Sequence, residues 1–180
     1  MELLASFLAA TILWVIAGNG TIQSALVDSR AYHKEADILN STELDYTDLI
    51  GVPFANQGRD VGTGLDCYGL VQEVFRRYGY EDIGEYYSDA YEKEYINKIF
   101  RKAIAGPRWR EVDYKHGEEI PVPALIAIRF NSPPGIVNHT GVYIGNGLFI
   151  HTRERIGCCV DRIDSLMWRR QIVGIYEYQR

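Results

Sequence analysis

Cysteine is scarce in this chain: three in 180 residues, two of them adjacent at positions 158 and 159. Such a set builds no disulfide framework, which excludes a disulfide-stapled mini-domain and leaves Cys67 an unpaired thiol. Cys158 and Cys159 fall in an expected strand or turn and read as structural. Positive charge is short as well, with 19 Lys and Arg against 24 Asp and Glu and a net charge of −5. No basic stripe is left for phosphates, so nucleic acid is not expected as a partner. Arg76-Arg77 and Arg169-Arg170 read as solvated helix ends. Internal repeats and low-complexity tracts are absent. Residues 56–64 are rich in glycine, but no Gly-Lys-Ser/Thr follows and the next helix opens with Asp66, so this is no phosphate loop. No cofactor is expected.

The apolar stretch 3–17 falls short of the about 20 residues a membrane span needs. It has the length of a signal-peptide core, yet residues 1–20 contain no basic residue. Signal or anchor, a helix packed on the domain, and an upstream start all stay open, so membrane contact is expected only if this segment acts as signal or anchor. Residues 21–45 read as a linker or arm, and 46–180 as one α+β domain.

What the chain does have is Gly64-Leu65-Asp66-Cys67-Tyr68-Gly69-Leu70-Val71-Gln72-Glu73-Val74-Phe75-Arg76-Arg77-Tyr78-Gly79. Leu70, Val71, Val74 and Phe75 share one face at helical spacing, and Gly79 is a C-terminal stop. Asp66 is an N-cap residue, which makes Cys67 the first helical residue. There the helix dipole favours the thiolate, although a buried inert cysteine is the commoner fate of a lone thiol. A short helix is expected near 46–50 and a second amphipathic helix over 85–104. In the latter, Tyr87, Tyr91, Tyr95 and Ile99 recur every four residues as a half-buried packing face. Strands follow at 124–130, 140–144, 148–152 and 172–178. Helices first and sheet second give the α+β class.

Of four histidines, His33 and His116 lie in polar surroundings and read as solvated. His139 and His151 flank a hairpin with Asn146-Gly147 at its tip. A two-residue turn would put the two histidines on opposite faces. A three-residue loop, 145–147, pairs Ile144 with Leu148, Val142 with Ile150 and His151 with Gly141. His139 then becomes the diagonal neighbour of His151 on the same face, and the aliphatic pairing favours this register. A helix-start thiol above two imidazoles is what cysteine nucleophilic catalysis requires. Cys67 is the candidate nucleophile, His139 the base and His151 the group that fixes its tautomer. A zinc site made of the same three residues is the alternative chemistry.

The blocks Gly64-Leu65-Asp66-Cys67-Tyr68-Gly69-Leu70-Val71 and Asn138-His139-Thr140-Gly141-Val142-Tyr143-Ile144-Gly145, with His151 as third polar member, resemble the NlpC-type bacterial cysteine peptidases. The resemblance runs over about residues 46 to 178. It implies a permuted papain-like fold with the Cys-bearing helix packed on an antiparallel sheet. It also implies cleavage of amide bonds in peptidoglycan stem peptides, next to D-glutamate or diaminopimelate, in the bacterial envelope or outside the cell. Asp66, Tyr68 and Phe54 become candidates for substrate or oxyanion contacts. Pro53-Phe54 with Gly58-Arg59-Asp60, and Arg162-Ile163-Asp164-Ser165 with Trp168 to Gly174, look most like the branch carried in phage and prophage tails, with tail proteins as partners. Tyr68 stands at the family's usual Ser. Two departures matter: Phe54 stands where many members have Tyr, and the arm before Asp45 does not look like the usual cell-wall-binding repeats.

Overall fold

In the computed structural model, residues 44–180 are described. The apolar segment 1–20 and all but the last two residues of the 21–45 arm therefore lie outside the described residues, as does His33. Helix α1, Cys67–Arg77, starts where its cap predicts: Asp66 is extended and its side chain accepts the Gly69 N–H at 2.6 Å. Leu70, Val71, Val74 and Phe75 are fully buried, each contributing roughly 2 kcal/mol of apolar burial. The helix stops at Gly79, whose φ of +77° suits the left-handed region. Its last-turn arginines are not simply solvated. Glu73 holds both Arg76 and Arg77, and Arg77 also reaches Asp48.

Two short strands, β1 (Arg59–Asp60) and β2 (Gly64–Leu65), form a small antiparallel pair inside the expected loop before α1. The main sheet has six antiparallel strands: β3 (Trp109–Glu111), β4 (Ala124–Ile128), β5 (His139–Gly145), β6 (Leu148–Arg153), β7 (Gly157–Arg162) and β8 (Ile172–Tyr178). Their spatial order is β3-β8-β4-β5-β6-β7. β4 is buried at every position because both faces of the sheet are covered. Leu125 and Ala127 join Val142, Ile150 and Tyr176 beneath α1. Ala124, Ile126 and Ile128 face the other way, onto Phe149, Trp168 and Ile175.

Three expectations give way. Residues 47–51 form hydrogen-bonded turns rather than a helix, with Leu49 buried at their centre. The second helix, α2, spans only Lys93–Ile104. Ahead of it, side chains take over the backbone groups a helix would use: Asn56 accepts from Ala90 N–H, Asp89 from Tyr91 N–H, and Arg59 donates to the Tyr86 carbonyl. Tyr87, Tyr91 and Tyr95 are therefore exposed, not half-buried, and the buried anchor of α2 is Phe100.

The third concerns the β5–β6 hairpin, which uses both registers. Asn146 and Gly147 have φ of 52° and 74°, a two-residue turn that pairs Gly145 with Leu148. An irregularity at Ile144 then shifts the ladder by one, so the expected Ile144–Leu148 pair is not made. Beyond it the pairs are Val142 with Ile150 and Gly141 with His151, as expected. One bulged residue thus returns both histidines to one face.

Candidate active site

His139 opens β5 and His151 lies on β6, and their rings meet through Nε2 of His139 and Nδ1 of His151 at 3.0 Å. Gly141 makes this approach possible. A Cβ there would stand 2.9 Å from the Ile150 carbonyl oxygen and from the Phe149 ring, and 3.1 Å from the His151 Cβ. The His151 ring is fully buried, stacked on Phe149 and edge-on to Trp168. Its other nitrogen, Nε2, lies 3.1 Å from Asp161 Oδ2. One hydrogen-bonded line therefore runs from His139 through His151 to a carboxylate. In the tautomer where His151 donates Nε2–H to Asp161, its Nδ1 accepts from His139 Nε2–H, which leaves His139 Nδ1 a free lone pair.

Burial, the charge of His151 and the Arg153 guanidinium push His139 down to about 3. Burial also lowers His151, against the pull of Asp161. Both imidazoles are neutral at pH 7.

Cys67 is half-buried at the N-terminus of α1. Burial and the neighbouring Asp66 carboxylate raise its thiol, partly offset by hydrogen bonds from the Thr140 side chain and backbone and by Arg59. The expected dipole-stabilised thiolate is thus outweighed by desolvation and by its own capping residue. The sulfur leans on Thr140, whose Oγ1 is buried and has no other partner. No hydrogen bond joins it to His139 among the described residues. The β-pleat explains the offset: Thr140 and Val142 face α1, while His139 and Gly141 face the opposite side. Cys67 and His139 come together as walls of one cleft of about 330 Å³, which Thr140, the residue after His139, also lines.

Asp66, Tyr68 and Phe54 also line that cleft. The Asp66 carboxylate is already engaged, capping Gly69 and pairing with Arg59 at 2.6 Å. The Tyr68 hydroxyl donates to the carbonyls of Ile83 and Gly84, so the ring forms wall rather than offering a donor. Burial raises its phenol further. Phe54 bridges to Leu65 through its backbone and is part of the cleft wall. His116 is exposed beside Asp113, as its surroundings predict.

Asp161 escaped the sequence reading. Finding it requires the β6–β7 register, in which His151 faces Cys159 and Asp161 lies two residues on, with its side chain on the same face. The signal was Gly157, at φ +80° after a short turn. Cys159, read as structural, also lies at this site, its sulfur 3.5 Å from His151 Nε2. Cys158 is buried as expected.

Residues 51–177 match the NlpC/P60 family. The chain belongs to that family. Among its NlpC/P60 relatives, the murein DD-endopeptidase MepS/murein LD-carboxypeptidase of Escherichia coli is 22% identical over 180 residues, covering 90% of this chain and 84% of that protein. Murein DD-endopeptidase MepH of E. coli is 28% identical over 162 residues; the match takes in 88% of this chain and 51% of MepH. The solved structure of an NlpC/P60 family protein from Bacillus cereus superposes at a TM-score of 0.50 with 20% identity. That superposition covers 73% of this chain and 37% of the other, so the chain spans little more than a third of it. The shared fold is papain-like, with a Cys-bearing helix laid on an antiparallel sheet, as the sequence implied.

Proposed function

We propose that this protein is a cysteine endopeptidase that hydrolyses amide bonds in peptidoglycan stem peptides, with Cys67 as nucleophile and His139 as general base. The observation that carries this reading is the hydrogen-bonded line His139–His151–Asp161 opening onto the cleft that also holds Cys67. A neutral thiol and a neutral imidazole fit a site where the proton moves as substrate is attacked. The Cys67 sulfur adds to the scissile carbonyl carbon while its proton passes to His139 Nδ1. His151 and Asp161 hold the ring and stabilise its charged form. The Gly69 amide is used by the Asp66 cap, so the oxyanion falls to the N–H groups of Cys67 and Tyr68 at the helix start. His139 then protonates the leaving amine, and water hydrolyses the thioester. The substrate follows the murein endopeptidase relatives.

Replacing Cys67 with Ala should abolish release of muropeptides from purified peptidoglycan, read by mass spectrometry, while the fold persists. Continued cleavage by the Ala variant sinks the assignment.

The raised Cys67 thiol, its missing bond to His139 and Phe54 in place of a family Tyr favour a second reading, a catalytically silent wall-binding or tail-structural module. Iodoacetamide separates the two. A Cys67 whose proton passes to His139 as the sulfur attacks is alkylated faster at neutral pH than in a His139→Ala variant, whereas a silent one reacts only as its raised pKa is approached, with or without His139.

Within the family we place the chain in the phage- and prophage-tail branch, on Pro53-Phe54 with Gly58-Arg59-Asp60 and on the segment 162–174. Detection of this chain in purified virions supports that placement, and its absence from them opposes it.

A further inference from the structure

We propose that His151, Cys159 and Asp161 form a binding site for a borderline-soft divalent cation of the zinc type, placed behind the catalytic pair rather than in the cleft. The sheet builds it. His151 on β6 is paired directly with Cys159 on β7, and Asp161, two residues further, projects from the same face. The three donor atoms lie within 4.8 Å of one another. His151 Nε2 is 3.1 Å from Asp161 Oδ2 and 3.5 Å from Cys159 Sγ. Tetrahedral zinc with ordinary Zn–N, Zn–O and Zn–S bonds sets its donors about 3.3 to 3.6 Å apart; the two contacts to His151 already lie within a few tenths of an ångström of that range, and the Cys159 and Asp161 donors, within 4.8 Å of each other, close the rest by side-chain rotation. One thiolate and one carboxylate neutralise the ion, and a nitrogen–sulfur–oxygen set selects zinc or cobalt over magnesium or calcium. Three protein ligands leave a fourth position for water. Because β7 is the last strand of the sheet, the ion has a route in from solvent: Cys159 is half-buried and the Asp161 side chain 37% exposed, while His151 is fully enclosed. The Arg153 guanidinium is the nearby charge that opposes the ion.

Occupation has a chemical consequence, which rests on the cysteine-peptidase reading above. A metal on His151 Nε2 displaces the proton shared with Asp161, and Cys159 releases its thiol proton to solvent. His151 then carries its proton on Nδ1, facing His139 Nε2 at 3.0 Å. His139 must accept there and hold its own proton on Nδ1. The two rings keep the same total number of protons, and the lone pair that would take the Cys67 proton is gone. The metal thereby switches off the base without entering the cleft.

The test uses the full chain with Cys67→Ala, which removes the thiol of the cleft. Cobalt(II) should bind one equivalent and give a thiolate-to-cobalt charge-transfer band, and zinc should compete for it. Adding Cys159→Ala should erase the band and weaken zinc by about a hundredfold, with circular dichroism confirming the fold. Asp161→Asn should weaken zinc in the same direction while keeping the band. In hydrolysis assays, zinc should inhibit the wild type reversibly, and Cys159→Ala, each enzyme measured against its own rate in chelator, should need at least about tenfold more zinc. The proposal is overturned if Cys67→Ala binds no cobalt, if Cys159→Ala leaves band and affinity unchanged, or if zinc inhibits wild type and Cys159→Ala alike. The metal-binding arm reads out even if the protein hydrolyses nothing, so failure of this site and failure of the enzyme reading are separable.

Discussion

Substituting Gly141 with Ala tests how the histidine pair is held. The added methyl would lie 2.9 Å from the Ile150 carbonyl oxygen, 2.9 Å from Phe149 Cδ2 and 3.1 Å from His151 Cβ. Two of these atoms are backbone or Cβ and cannot swing away, so β5 and β6 must separate by several tenths of an ångström. Overpacking of this kind costs about 1–3 kcal/mol, readable in urea unfolding. The same displacement lengthens the 3.0 Å contact between the two rings. Misplacing a catalytic group by a fraction of an ångström to one ångström lowers turnover by about 10- to 100-fold. Gly62→Ala is the control, because its Cβ would meet only the flexible Asp60 carboxylate, at 3.2 Å. It should be near neutral in both assays. A Gly141→Ala variant with wild-type stability and wild-type kcat would refute the idea that this glycine sets the imidazole geometry.

Asp161→Asn should lower kcat about tenfold with little change in KM, because the carboxylate acts on the charged imidazole rather than on substrate; a KM effect alone would count against it. The buried neutral histidines make stability fall with acid. The unfolded chain protonates His139 near 6.5 while the native one resists to about 3. Between those values the unfolded state binds more protons, so lowering pH from 6.5 to 5 should cost about 1.7 kcal/mol through His139, and His151, lowered in the same direction, adds a loss of the same sign. Urea titrations in chelator, kept above the carboxylate range, would show a flat profile if this is wrong. Gly69→Ala should destabilise strongly and displace Cys67, since a Cβ there would stand 2.1 Å from the Gly58 carbonyl oxygen; circular dichroism melts and Cys67 alkylation rates measure both.

Local signals carried far in this chain. The Asp66 cap, the face Leu70-Val71-Val74-Phe75 and the Gly79 stop are interactions within a dozen residues, and all three appear as their chemistry requires. The histidine face was legible because pairing Val142 with Ile150 sets His151 opposite Gly141, and that part of the expected register is the one the sheet keeps. What escaped depends on contacts between distant segments. Side chains of Asn56, Arg59 and Asp89 hold residues 86–91 out of the helix their tyrosine spacing suits. The bulge at Ile144 lets a two-residue turn coexist with the other register. Asp161 required a second hairpin to be registered against the first. The raised thiol of Cys67 required knowing that Asp66, besides capping the helix, stays buried beside the sulfur.

The identity of the nucleophile is the central claim. A stem-peptide substrate mixed briefly with the enzyme and quenched in acid should leave an acyl group on the peptide containing Cys67, visible by mass spectrometry and absent after Cys67→Ala. Hydrolysis that proceeds with no adduct on that peptide, or with the adduct on Cys158 or Cys159, would contradict the account.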